Sequence, residues 1–68
     1  MSFQDYIARL RYLEARRRIA SGTGSIEDAI RSAGLNNSYW FYQMFHENEG
    51  MTPFEWRRQL QEKQWLDR

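Results

Sequence analysis

The chain has 68 residues but no cysteine, one proline, one histidine and four glycines. Without cysteine neither a disulfide staple nor a thiolate zinc site can form, which fits a reducing cytoplasm as the expected location. No apolar stretch approaches the ~20 residues needed to cross a membrane. Residues 1–5 carry neither the basic region nor the apolar run of a signal peptide. An excess of one charge is also missing: 10 basic residues face 9 acidic ones, for a net charge of +1. A dedicated nucleic-acid-binding domain is usually far more basic, so weak non-specific affinity for nucleic acid is expected. Catalysis lacks its parts. There is no glycine loop of phosphate-binding form, no nucleophile with a base, and nothing that places two carboxylates in a sheltered cleft. One histidine, His46, with mobile neighbours Glu47 and Glu49 does not make a metal site. No enzyme activity, metal or other cofactor is expected.

What is present is helical. Nothing alternates apolar and polar in the manner of a strand, and all four glycines fall where a helix stops. Ser2 with Asp5 reads as a capping box, and a first helix of about residues 2–20 ends at Ser21-Gly22-Thr23-Gly24. Ser25 with Asp28 opens a second helix that Gly34 closes. Asn36 or Asn37 caps a third, which runs to about Asn48 before Gly50. Thr52 caps a fourth of about residues 53–64, with the lone Pro53 at its first position and Glu55 completing the box. That helix continues through Arg57, Arg58 and Leu60 toward Trp65. The expected fold class is all-α, one four-helix helix-turn-helix domain over residues 1–68 with a long N-terminal helix. Its central pair, about 25–49, is joined at Gly34-Leu35-Asn36-Asn37. A domain this short buries only ~60% of its unfolded surface. Its 16% aromatic content compensates, because each aromatic can bury ~150–250 Å².

The first helix has two apolar stripes where a surface helix has one. At about 100° per residue, Phe3, Tyr6, Ile7, Leu10 and Leu13 fall on one side, and Ala8, Tyr12, Ala15 and Ile19 on the other. The later stripe is expected to pack on the other helices. The earlier one is either covered by the C-terminal tail or meets another copy or domain.

From about Tyr6 to Arg58 the chain resembles the second half of the DNA-binding domain of AraC/XylS-type bacterial transcription regulators. The resemblance rests on Arg9-Leu10-Arg11, Ala15, Ser25-Ile26, Gly34-Leu35, Trp40-Phe41, Phe45-His46, Gly50-Met51-Thr52-Pro53 and Trp56-Arg57. The Gly-Met-Thr-Pro stretch is its specific part. The chain departs from the family pattern at Ala29-Ile30 (usually Ile-Ala), Leu35 (Phe), His46 (Lys) and Gln43 (often Arg). The family's domain joins two helix-turn-helix units through a linker helix. Residues 2–20 correspond to that linker, and the first unit has no counterpart here. By resemblance, the linker's earlier half contacts the first unit, which implies an interface at Phe3, Tyr6, Ile7 and Leu10.

A helix in the major groove touches base edges through its N-terminal part. Gln43 can pair bidentately with adenine, and Ser38 can bond to several base edges. By resemblance Ser38, Tyr39 and Gln43 are the base-reading residues. Asn37, Tyr42, His46, Thr52 and Arg57 are phosphate candidates, Thr52 because the start of the fourth helix offers free N–H groups. Each has a plainer alternative: Trp40, Tyr39 and Tyr42 as core, Gln43 as a solvated residue, Arg57 as surface, and Arg16-Arg17-Arg18 as a solvated face interspersed with acids. The leading expectation is sequence-specific binding of double-stranded DNA in bacterial transcription regulation. Implied protein partners are a second copy of the chain, the missing first unit and RNA polymerase; no membrane is implied. The alternative is a protein-interaction module or antagonist that pairs through the apolar face of the first helix. A third reading is a piece of, or a redesign on, a larger regulator.

Overall fold

The computed structural model describes residues 2–66, with side chains through residue 63. These form four helices, α1 (Phe3–Ala20), α2 (Ile26–Ser32), α3 (Ser38–Glu49) and α4 (Pro53–Leu66), with no strand among the described residues.

Each helix starts where a side chain satisfies an orphan N–H group. Ser2 Oγ accepts from the Asp5 amide at 3.2 Å, and Ser25 Oγ from the Asp28 amide at 3.1 Å. Asn37, not Asn36, caps α3, with Oδ1 accepting from the Trp40 amide at 3.2 Å. Thr52 Oγ1 accepts from the Glu55 amide at 3.1 Å.

The stop after α2 sets the helix-turn-helix. Gly34 adopts φ +91°, a conformation that L side chains rarely reach. This lets the Gly34 N–H donate to the Arg31 carbonyl at 2.9 Å and the Leu35 N–H to the Ile30 carbonyl at 3.2 Å. That pair of bonds is a Schellman motif, which carries an apolar contact between the residue after the glycine and the last helical turn. Leu35 and Ile30 supply it, and both are buried. A β-carbon on Gly34 would also lie 3.2 Å from Arg11 Nε.

The core gathers one stripe from each of the first three helices: Tyr12, Ala15 and Ile19 of α1, Ile26, Ala29 and Ile30 of α2, and Phe41 and Phe45 of α3, with Leu35 from the turn. Phe41 lies 5.2 Å from Tyr12 and 5.8 Å from Phe45 between ring centroids. Trp56 of α4 meets Phe45 edge-on at 5.2 Å. The inverted pair Ala29-Ile30 is accommodated, since both residues are buried. The Tyr12 hydroxyl is buried without a hydrogen-bond partner among the described residues.

Ion pairs dispose of the Arg16-Arg17-Arg18 run. Arg17 and Arg18 both donate to Glu14, at 2.6 and 3.0 Å. Arg16 reaches across the fold, donating to Glu49 at 3.0 Å while its guanidinium lies 4.8 Å from the Trp56 ring centroid. Arg16 thereby ties α1 to the end of α3 and to α4.

Candidate nucleic-acid interface

Helix α3 divides by periodicity. Phe41 and Phe45 are fully buried on one face. Tyr39, Gln43 and His46, at i, i+4 and i+7, form an exposed stripe on another. With Tyr42 and Glu47 they line a shallow depression of about 290 Å³. Tyr39 is 69% exposed, the largest value on this helix among the large apolar side chains. Its hydroxyl accepts from Gln43 Nε2 at 2.8 Å. The two hydrogen-bonding groups are therefore held together at the surface, one turn apart. Ser38, at the first position of α3, is half-buried and does not line this depression; three positions before Phe41 and seven before Phe45, it falls on their side of the helix.

The phosphate candidates divide differently. His46 is exposed on the same stripe. The side-chain oxygens of Asn37 and Thr52 are occupied as helix caps. Tyr42 is half-buried and donates to Glu27 Oε1 of α2 at 3.1 Å. Burial, then the Glu27 hydrogen bond and charge, push the Tyr42 phenol above its ordinary value, so it stays a neutral donor. Arg57 donates to the Gly24 carbonyl at 2.7 Å and pins α4 against the turn between α1 and α2. Thr52 and Arg57 lie outside the depression on α3.

Sequence reasoning did not find Glu27. It brings a carboxylate beside a residue assigned to phosphate, and only the α2–α3 crossing puts these two, 15 positions apart, in contact.

On α1 the earlier apolar stripe is open. Phe3 is 78% exposed, Tyr6 53%, Leu10 46% and Leu13 50%, while Ile7 is half-buried. Leu13 shares this open stripe, and its place in it was readable from helical spacing. The described part of α4 approaches the other end of α1, near Gly24, and does not cover this stripe. Trp40, half-buried, stands between two grooves of about 560 and 360 Å³ that separate α1 from α3 and the turn before it.

A family model described as a helix-turn-helix domain matches residues 1–59. The chain belongs to the AraC/XylS-type helix-turn-helix family. The match spans α1, both helices of the central pair and the first half of α4. Membership in the AraC/XylS-type family makes this a DNA-binding, transcription-regulating kind of domain. No curated protein and no solved structure matches the chain. Among the described residues no helix is long and apolar enough to cross a membrane.

Proposed function

We propose that the chain binds duplex DNA sequence-specifically, with α3 laid in the major groove. The observation that carries this reading is the exposed Tyr39–Gln43–His46 stripe, opposite the buried Phe41 and Phe45. A helix so divided keeps its fold through one face and has the other free for a groove about 12 Å wide. Ser38, Tyr39 and Gln43 are the base-reading residues. Phosphates are met by His46, by Arg57 through donors not used on Gly24, and by the main chain at the starts of α3 and α4, where Asn37 and Thr52 stand. A Gln43 amide has one donor and one acceptor to set against adenine, once it exchanges its bond to Tyr39 for the base.

With a net charge of +1, one copy binds weakly. A second unit on a neighbouring half-site raises the effective affinity. The test begins with selection of bound duplexes from a random-sequence pool. The dissociation constant of a selected duplex is then measured across salt. Affinity should fall by about 0.9 decade per decade of salt for each phosphate neutralised. No enrichment, together with no binding at low salt, ends this reading.

A second reading has its own support in the exposure of Phe3, Tyr6 and Leu10. Here α1 is the working surface, and the chain is a protein-interaction module or antagonist. RNA polymerase, a first helix-turn-helix unit and a second copy are the partners it admits. Leu10→Glu separates the two readings, because it changes α1 and leaves α3 untouched.

A further inference from the structure

Tyr42 stands between the two faces of α3. At about 100° per residue it falls between the buried Phe45 and the exposed His46 and Tyr39, and it lines the same depression as Tyr39, Gln43 and His46. Its half-buried ring meets Phe41 edge-on at 6.2 Å between centroids, which fixes its direction. The hydroxyl donates to Glu27 Oε1 at 3.1 Å. Glu27 is exposed, and no cation pairs with it among the described residues. A carboxylate of α2 is thereby brought to the edge of the face proposed for the groove.

This pair presents acceptors alone. The phenol has committed its one proton to Glu27, which leaves its oxygen lone pairs and Glu27 Oε2 for anything that approaches. Burial, then the bond and charge of Glu27, push the phenol up, so the proton stays in place at neutral pH. A phosphate also offers acceptors and carries the same sign of charge as Glu27. Meeting one would break the Tyr42 bond and set two anions together. The pair suits a donor instead. In the major groove the donors are the amino groups of cytosine and adenine. Adenine sets its N7 acceptor beside the amino group, whereas cytosine shows the amino group by itself.

We infer that Glu27, positioned by Tyr42, accepts from the N4 amino group of a cytosine. The inference rests on the reading that α3 lies in the major groove, and adds to it a base position read from α2. Tyr42 and Gln43 are about 100° apart around α3, so the cytosine lies to the α2 side of the base that Gln43 reads. Guanine or thymine at that place would set an acceptor against the carboxylate and be disfavoured by about ten-fold or more.

The test compares the wild type, Glu27→Gln and Tyr42→Phe in selection from a random-sequence pool. Dissociation constants follow for a selected duplex and for the same duplex with each other base at the cytosine position. The wild type should favour cytosine there. The amide of Glu27→Gln both accepts and donates, so this preference should be largely lost while the other positions keep theirs. Tyr42→Phe frees the carboxylate and should relax the same position. The double variant should be no less selective than Glu27→Gln, as for residues that act as a unit. Uniform weakening of all duplexes by both variants, with the base ranking kept, would make the pair a brace between α2 and α3 and overturn the inference. Uniform tightening by Glu27→Gln, ranking kept, would mean that the carboxylate only repels the backbone, and overturns it too. A wild type that selects a site without a cytosine dependent on Glu27 ends this inference alone. A wild type that selects no site ends the underlying reading as well.

Discussion

Gln43 donates its amide N–H to the Tyr39 hydroxyl at 2.8 Å, across one exposed turn of α3. The contact costs the protein nothing in the core and holds two hydrogen-bonding groups at the place proposed for base reading. Gln43→Ala should leave the circular dichroism spectrum and melting temperature unchanged. It should weaken a selected duplex by ~1–3 kcal/mol, the worth of one bidentate pair, and relax preference at one base position. Tyr39→Phe, which keeps the ring and removes the hydroxyl, should give a smaller loss. Equal affinity of Gln43→Ala and wild type for every selected duplex would remove Gln43 from the site.

Phe45 is the junction of the fold. It is fully buried, meets Tyr12, Phe41 and Trp56, and so joins α1, α3 and α4. Phe45→Ala should cost ~3–5 kcal/mol. Small domains sit at the low end of ~5–15 kcal/mol total stability, so the variant should be largely unfolded at room temperature. Urea unfolding and near-ultraviolet circular dichroism report this. A cooperative transition close to the wild-type midpoint would contradict the described core.

Tyr12→Phe should go the other way. Its ring packs on Phe41 and Phe45, but its buried hydroxyl has no partner among the described residues. Removing an unsatisfied hydroxyl while keeping the ring is worth ~1 kcal/mol. That corresponds to a rise of ~4–8 °C in a domain of this size. Thermal melts of the two proteins decide it, and a fall in the midpoint would mean the hydroxyl is satisfied in solution.

Glu14 supplies an acid-sensitive element. The Arg17 hydrogen bond, assisted by Arg18, outweighs desolvation and lowers its carboxyl from 4.5 to about 2. A carboxyl depressed on folding contributes stability above its unfolded value and loses that contribution as pH falls toward the folded one. The loss therefore belongs between about pH 4.5 and pH 2. Because the pair is on the surface, the effect is small and salt-sensitive. Melting temperature against pH should be flatter in that window for Glu14→Gln than for the wild type, and less different in high salt. Parallel curves at low salt would discount the network.

Much of the fold was legible because its signals are local. A cap needs only three residues, so Ser2, Ser25 and Thr52 could be read directly, and the third cap narrowed to Asn36 or Asn37. Gly34-Leu35 marks a stop because the left-handed turn and its apolar follower lie side by side in the chain. The division of α3 into a Phe41–Phe45 face and a Tyr39–Gln43 face follows from helical periodicity. The site was less legible wherever one side chain has to choose among distant partners. Tyr42 with Glu27, Arg57 with Gly24, and Arg16 with Glu49 and Trp56 lie 15 to 40 positions apart in sequence, as counted from their numbers.

By itself, then, the sequence determined four helices, their ends and the faces each one offers, since these depend on backbone hydrogen bonds and spacing within a few residues. The tertiary structure decided which faces were used. It buried the Tyr12–Ala15–Ile19 side of α1 and left Phe3, Tyr6, Leu10 and Leu13 in solvent. The first half of that outcome is expected from the later stripe's closeness in sequence to the other helices; what the fold alone decided is that the described part of α4 packs near Gly24, at the other end of α1, and so leaves the earlier stripe uncovered.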